Sequence, residues 1–213
     1  MLREFVTIHV KERAWQVVKL FWDELIRRDR RNNDEDAVSF DLISRTLSWW
    51  PTNEDQDLEV LCKLLTESDC KLDNLHLSSN KVTDEGVKHI AEALSNSHCA
   101  LNSLHLSECS VTDEGAKHIA EALSNSNCAL NSLDLSHCKV RDEGVKHIAE
   151  ALSNSHCHLN SLDLHLNDQI TDKGVRHLAR VLEHSKYKLK SSSELDIKVT
   201  AKVKEQVSEE GLS

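Results

Sequence analysis

Aromatic side chains are scarce in this sequence, at 4% of its 213 residues, and hydrophobic residues of all kinds make up only 39%. This composition supplies little apolar volume for a single deep core. Small stacked units overcome the shortage, because each unit buries its apolar edge against its neighbours. The composition therefore favours a chain built from internal repeats.

Long apolar runs are also missing, and none approaches the roughly 20 residues that a transmembrane helix needs. The N-terminal stretch MLREFVTIHVKERAW carries charges where a secretion signal has its apolar segment. These two absences favour a soluble, cytoplasmic protein that does not bind membranes.

Basic residues are in the minority, with 26 Lys and Arg against 36 Asp and Glu, which gives a formal net charge of -10. Binding to the phosphate backbone of a nucleic acid over an extended surface needs clustered Lys and Arg. We therefore expect no binding to nucleic acid. A protein with a basic surface is the expected partner.

The motifs of several enzyme classes are absent. No glycine is followed by Lys, as a phosphate-binding loop requires, and neither GxSxG nor HExxH occurs. The cluster His156, Cys157 and His158 invites a metal hypothesis, but adjacent loop residues rarely converge on one ion. We expect no catalytic residue, no cofactor and no metal site.

Leucines recur every 29 residues, at Leu72, Leu101, Leu130 and Leu159, and Leu189 follows after 30. Each unit opens with LxxLxLxx and then Asn or Cys. The alternation of its second and third leucines predicts a short strand with one buried face. The four sets are Leu72, Leu75, Leu77 and Asn80; Leu101, Leu104, Leu106 and Cys109; Leu130, Leu133, Leu135 and Cys138; and Leu159, Leu162, Leu164 and Asn167.

A helix is predicted after each strand. In VTDEGVKHIAEALSNS, Thr83 stands at the N-cap position, and Val87, Ile90, Ala91 and Leu94 form one apolar stripe. A strand and a helix repeated in one direction predict a parallel sheet with all helices on its other side. Because helices are wider than strands, we predict an α/β solenoid that curves, with the sheet on its concave face and the helices on its convex face. Thr112 and Thr171 repeat the cap position, and Arg141 replaces them in the third unit.

Three further features recur with the repeat. A glycine in the first helical turn costs about 1 kcal/mol relative to alanine, so its recurrence predicts close approach to the adjacent unit; these residues are Gly86, Gly115, Gly144 and Gly174. The Asn or Cys after each strand is expected to bond backbone groups of the next unit's turn. The fourth unit has one extra residue, which predicts a bulge at Asp168 or Gln169.

Five of the seven cysteines also recur, and small buried thiols commonly serve as apolar filler. Free thiols fit a reducing compartment. A secreted protein framed by disulfides is the alternative. The five are Cys70, Cys99, Cys109, Cys128 and Cys138.

The repeats divide the chain into three parts. We assign residues 51–188 to the repeats, and residues 54–71 of this range fit the helical half of a unit. Residues 189–213 are assigned to a degenerate C-terminal capping unit and tail, with Leu195 and Ile197 in a last strand.

Residues 1–50 are assigned to a helical N-terminal cap that hides the open end of the core. One amphipathic helix is predicted within residues 10–25 and a second, shorter helix within 40–47. A small effector or signalling domain, or part of a preceding domain, is the alternative for the same residues.

Between the buried leucines lie residues whose side chains are expected to point away from the helices, in rows across the concave face. One row changes from His to Asp along the arc, while the leucine framework stays nearly constant. A selected contact surface predicts such variation, and drift at exposed positions predicts it equally. The rows are Asn74, Ser103, Ser132 and Ser161; His76, His105, Asp134 and Asp163; and Ser78, Ser107, Ser136 and His165, with Ser79, Glu108 and His137 beside them.

Within these rows, Asp134 and Asp163, with Glu108 near them, form the acidic group that we expect to meet Arg or Lys of a protein partner. The near identity of the repeats leaves a purely structural spacer role open as well. No sequence feature indicates an oligomeric state.

The pattern resembles the ribonuclease-inhibitor-like class of leucine-rich repeats, also found at the C-terminal end of NOD-like receptors. The resemblance covers about residues 54–190 and implies that Cys99, Cys128 and Cys157 occupy buried structural positions. It implies a protein-binding module without enzymatic activity. Three roles fit: recognition in innate immunity of the NOD-like-receptor type, inhibition of a basic enzyme, and regulation of a GTPase as by Ran GTPase-activating proteins.

Overall fold

The computed structural model describes residues 38–41, 45–49, 54–68, 70–184 and 196–198. Strands and helices alternate over most of this range. The strands are β1 (Val38–Asp41), β2 (Thr46–Trp49), β3 (Asn74–His76), β4 (Ser103–His105), β5 (Ser132–Asp134), β6 (Ser161–Asp163) and β7 (Asp196–Lys198). The helices are α1 (Glu54–Leu65), α2 (Asp84–Leu94), α3 (Asp113–Leu123), α4 (Asp142–Leu152) and α5 (Asp172–His184).

The strands of the described residues form one sheet whose spatial order follows the chain from β1 to β7. β1 pairs antiparallel with β2, and every later strand pairs in parallel with the one before it. Leu75, Leu104, Leu133 and Leu162 lie in register on neighbouring strands. This register confirms the predicted unit of one strand and one helix.

The helices form a second layer, in which each helix packs against the next from α1 to α5. The core lies between the layers, and it buries the predicted stripe of Val87, Ile90, Ala91 and Leu94. Helices pack about 8–10 Å apart, whereas strands lie about 4.8 Å apart. The stack therefore curves, with the sheet on the concave face and the helices on the convex face.

An aspartate from the preceding repeat caps the start of each helix from α3 to α5. The Asp84 carboxylate accepts hydrogen bonds from Thr112 N at 2.8 Å, Thr112 Oγ1 at 2.5 Å and Gly115 N at 3.1 Å. Asp142 makes the corresponding contacts with Thr171 and Gly174. These bonds satisfy backbone N–H groups that the helix leaves unpaired.

The predicted threonine caps are therefore only partly correct. Thr112 and Thr171 stand at their N-cap positions, but their hydroxyls accept only long bonds of 3.4 and 3.3 Å. Thr83 makes no side-chain cap bond. Arg141 is tolerated at this position because Asp113 Oδ1 accepts from Arg141 N at 2.7 Å and from the Gly144 amide at 3.0 Å.

The Asn or Cys after each strand bonds carbonyl groups, as expected, but in three units the carbonyl belongs to the preceding unit rather than the next one, and Asn80 Nδ2 donates to Leu77 O and Ser78 O of its own unit. Cys109 Sγ donates to Leu77 O, and Cys138 Sγ donates to Leu106 O, both at 3.2 Å. Asn167 Nδ2 donates in the same direction, to Leu135 O at 2.8 Å. The direction follows from the stacking, which places each side chain over the turn of the coil before it.

The expected irregularity of the fourth unit is confirmed. A turn occupies residues 168–169, and the Ile170 amide donates to Asn167 O at 3.0 Å. The helix that follows is still capped by the preceding repeat, so the extra residue is absorbed in this loop.

At the N-terminal edge, the short helix predicted within residues 40–47 is wrong, because β1 and β2 form an antiparallel hairpin there. Leu47 is buried and lies in register with Leu75. The first predicted helix lies outside the described residues. At the other edge, Ile197 pairs in register with Leu162, as predicted for a last strand. The division into three parts remains a prediction.

Candidate functional site

The predicted rows follow directly from the register of the strands. Residues on either side of each buried leucine stand beside their counterparts on the next strand, so the polar residues line up across the concave face. The rows also extend onto β2, whose Thr46 and Ser48 pair with Asn74 and His76. The sequence feature that could have predicted this extra strand is Leu47, which stands between two polar residues as the strand leucines of the repeats do.

Two histidines and an aspartate are in contact within the middle row. The imidazoles of His76 and His105 stack with ring centroids 4.0 Å apart and planes 17° apart. His105 Nδ1 lies 3.7 Å from Asp134 Oδ2. Asp163 is the register neighbour of Asp134 on β6, and Lys198 of β7 is the register neighbour of Asp163.

Asp134 is held as an ionised acceptor. Its Oδ1 accepts hydrogen bonds from Ser136 N at 2.9 Å and from Ser136 Oγ at 2.7 Å. Burial acts to raise the pKa of the Asp134 carboxyl, but the contacts with His105 and Ser136 outweigh it and lower the pKa to about 2. Asp163 Oδ1 accepts from His165 N at 2.9 Å in the same manner. Both carboxylates are therefore oriented by the turn that follows their strand.

Ser103 differs from the rest of the predicted surface, because it is only 8% exposed. Its hydroxyl lies 3.0 Å from His105 Nε2, so Ser103, His105 and Asp134 are connected in the order of a serine hydrolase triad. However, the 3.7 Å separation of His105 from Asp134 exceeds hydrogen-bond length. Because Ser103 also has little access to a substrate, we interpret these contacts as fixing the His105 ring.

The flank of the rows is set by an unusual backbone conformation. Ser79, Glu108 and His137 have φ angles of 60°, 59° and 54°, and Leu166, with φ of 57°, continues the series in the fourth repeat. Ser79 Oγ donates to Glu108 Oε2 at 3.2 Å across neighbouring repeats. Leu166 is 37% exposed, and sequence reasoning missed it because it counted only polar positions. The remaining members of the third row, Ser78, Ser107 and Ser136, are partly exposed, and His165 is exposed.

The histidine stack predicts that stability depends on pH. Burial lowers the pKa of His76, His105 lowers it further, and Asp134 offsets part of the effect. The folded state therefore binds this proton more weakly than the unfolded chain does, so the free energy of unfolding should decrease as pH falls below about 6.5. We expect His76→Asn to flatten this slope in urea unfolding measured from about pH 7.5 to pH 5.

His98→Asn is the matched control for the loss of an imidazole, because His98 is exposed on a loop. Equal slopes for the wild-type protein and His76→Asn would contradict the assignment of the pH dependence to the stack.

The convex face carries a different pattern. In each of α2, α3 and α4, a lysine pairs with the glutamate three residues before it, at 3.0, 2.9 and 2.6 Å. A histidine on each helix lies 3.8–4.0 Å from glutamates, as His118 does from Glu114 and Glu121. These glutamates are half to two-thirds exposed, so this face of the helices is solvated.

All seven cysteines lie among the described residues, where they are buried and form no disulfide. Burial raises the pKa of the Cys62 and Cys138 thiols to about 12 and that of Cys99 to about 11. In the part of the chain that the structure describes, no three His, Cys, Asp or Glu side chains form a group suited to a metal ion. Nor does any helix of that part have the length and apolar character to cross a bilayer.

Comparison with known proteins agrees with this architecture. The family described as Leucine Rich repeat matches at residues 68–91, 97–120, 126–149 and 155–179. The solved structure of Leiomodin-1 Actin-Binding Site 2 (ABS2) is similar over 72% of this chain and 85% of its own, with a TM-score of 0.54 and 20% sequence identity. At this identity the likeness shows the fold alone. No curated protein matches the chain.

Four tandem stretches of the chain thus match the leucine-rich-repeat model, and their strands and helices form an α/β solenoid. Proteins of this architecture are typically non-enzymatic modules that bind other proteins on an extended face.

Proposed function

We propose that this chain binds a protein partner through the concave face, with Asp134 and Asp163 as the acidic anchor. The observation that carries the proposal is the register of the two carboxylates on neighbouring strands. Strands in this position lie about 4.8 Å apart, a separation that one guanidinium group or two neighbouring basic side chains span. The rows of β3 to β6 contain no Lys or Arg of their own, and the basic residue beside them is Lys198 of β7, in register with Asp163. Asp134 lies one strand further from Lys198, so a basic side chain of the partner is expected to contact Asp134 most directly.

The partner expected on this basis presents Arg or Lys from a basic surface. Arginine suits the anchor best, because its planar group forms paired hydrogen bonds with carboxylates. The pKa of Asp134, lowered to about 2, keeps that carboxyl charged throughout the physiological range. The adjacent His76 and His105 offer imidazole edges and faces for further polar and stacking contacts.

The double substitution Asp134→Asn and Asp163→Asn tests the anchor. Asparagine keeps an acceptor for the Ser136 and His165 amides but removes both charges, so the variant is expected to fold and to lose at least about tenfold in affinity for the partner. Purified variant and wild-type protein are to be compared in quantitative pull-downs from the source cell, followed by titration of each captured protein.

The matched control is Glu121→Gln with Glu150→Gln, which removes the same charge from the convex face. Its two side chains are 65% and 64% exposed. Captured proteins that are retained by this control and lost by the Asp134 and Asp163 variant support the proposal. Equal capture by all three proteins would overturn it, and equal loss from both variants would assign binding to net charge instead.

Three finer identities remain proposals that rest on the repeat class. The first is recognition or regulation of the NOD-like-receptor type in innate immunity. The second is inhibition of a basic enzyme, and the third is regulation of a Ran-type GTPase. A basic ribonuclease and a Ran-type GTPase are suitable defined probes. Actin is a further probe, since it is named for the similar Leiomodin-1 structure.

We also propose a reducing compartment such as the cytoplasm as the working location. The absence of disulfides among the seven described cysteines supports it, because disulfides persist mainly in oxidising compartments.

A further inference from the structure

We infer that helix α5 carries a second interaction surface, a basic stripe that binds an acidic peptide segment of a partner protein. The stripe consists of Lys173, Arg176 and Arg180. These residues are spaced at i, i+3 and i+7, which places them on one face of the helix, and all three are exposed. They lie on the convex side, so this surface is separate from the concave anchor.

The charges of the stripe differ from those at the equivalent positions of the other repeats, with which they can be compared directly. The equivalent positions on α2, α3 and α4 carry glutamate, lysine and glutamate, whereas α5 carries lysine, arginine and arginine. Two of the three positions thus reverse their charge in the last repeat. The reference sets are Glu85, Lys88 and Glu92; Glu114, Lys117 and Glu121; and Glu143, Lys146 and Glu150.

The reversal also changes the ion pairing. On α4, Lys146 Nζ contacts Glu143 Oε1 at 2.6 Å, and α2 and α3 repeat this pair. On α5, the residue three positions before Arg176 is Lys173, which repels it. Within the described residues, Arg176 forms no ion pair, and Lys173 acts on Asp142 and Glu143 of the preceding repeat only through space, where it helps to lower the pKa of both carboxyls. Because Lys173 and Arg176 are both exposed, an anionic ligand can contact them.

The surroundings favour a narrow ligand. Glu143 and Glu150 of α4 are 51% and 64% exposed, and adjacent helices lie about 8–10 Å apart. A flat anionic membrane or a nucleic acid backbone laid over the stripe would meet these glutamates and be repelled. An acidic peptide running along α5 would not, and the stripe is about 10 Å long, which matches a few carboxylates of such a peptide.

The test uses the full chain and a fluorescein-labelled decapeptide of glutamate, with binding followed by fluorescence anisotropy. Lys173→Glu with Arg180→Glu restores the residues found at these positions on α2, α3 and α4, so this variant is expected to fold. We expect it to weaken peptide binding by at least about tenfold at low ionic strength. Glu143→Lys with Glu150→Arg transfers the stripe to α4 and is expected to strengthen binding.

The control Lys81→Glu with Lys139→Glu makes the same change in net charge at two exposed loop positions, and we expect less than about a threefold effect from it. Equal weakening by the two charge-reversed variants would overturn the proposal. So would phosphatidylserine vesicles or duplex DNA that bind more tightly than the peptide and depend on the stripe. The Asp134→Asn and Asp163→Asn variant should bind the peptide no more weakly than wild type, which keeps a failure of the stripe distinct from a failure of the concave anchor.

Discussion

Leu104→Ala is expected to lower the free energy of unfolding by about 2 to 5 kcal/mol, measured by urea unfolding. Leu104 is 0% exposed at the centre of β4, in register between Leu75 and Leu133. Its truncation leaves a cavity between the sheet and the helices. Because each repeat of a solenoid contacts only its neighbours, the cavity weakens the interfaces on both sides of β4.

Leu166→Ala is the matched control, since it deletes the same atoms from a side chain that is 37% exposed. We expect a clearly smaller loss than at Leu104, because 37% of the Leu166 surface already contacts water and its truncation leaves no closed cavity. Similar losses at the two leucines would show that the leucine of β4 is not part of a packed core.

Gly144→Ala is expected to lower the free energy of unfolding by about 1 to 3 kcal/mol. In an ordinary exposed helix the same change stabilises by about 1 kcal/mol. The sign of the change in unfolding free energy therefore tests the predicted close approach. A Cβ atom at position 144 would lie 2.7 Å from Asp113 Oδ1, 2.9 Å from Val140 Cγ1 and 3.1 Å from Ala116 Cβ. These atoms belong to two repeats and have little room to move apart.

The double variant Asp113→Ala with Gly144→Ala tests whether the Asp113 carboxylate causes the steric conflict at position 144. Asp113→Ala alone removes the acceptor of the Gly144 amide and is expected to cost about 0.5–2 kcal/mol, as for other helix caps. Because the carboxylate is then no longer in the way, the double variant should lose less than the sum of the single losses. A Gly144→Ala protein at least as stable as wild type would contradict the proposed close approach.

The features predicted best were those that depend on a period. The 29-residue spacing of the leucines and the stripe of Val87, Ile90, Ala91 and Leu94 both reappear as buried core. The recurring glycines were also interpreted correctly, since Gly115, Gly144 and Gly174 each lie against the aspartate of the preceding repeat. A pattern that occurs in four successive units is informative, because chance does not place the same residues at the same spacing four times.

Contacts between repeats were predicted less well. Threonine at the start of a helix normally caps it with its own hydroxyl, but Asp84, Asp113 and Asp142 supply the main caps from the repeat before. Local pattern reasoning considers only residues near in sequence, and these pairs are 28 to 32 residues apart.

The helix predicted within residues 40–47 was wrong for a related reason, since a hairpin forms there. Apolar residues at 40, 43 and 47 have helical spacing, so the sequence favoured a helix there. The open edge of β3 offers backbone partners to an adjoining strand, and β2 takes them, with Leu47 buried beside Leu75.

The sequence by itself determined the repeat, the alternation of strand and helix, and the rows of polar positions, because these depend on periodicity along the chain. Only the tertiary structure decided which residues of the rows meet. The stacking of His76 on His105, the bonds that orient Asp134 and the burial of Ser103 arise where separate strands come within a few ångströms. Such contacts depend on rotamers and on neighbours supplied by other repeats, and no local pattern records them.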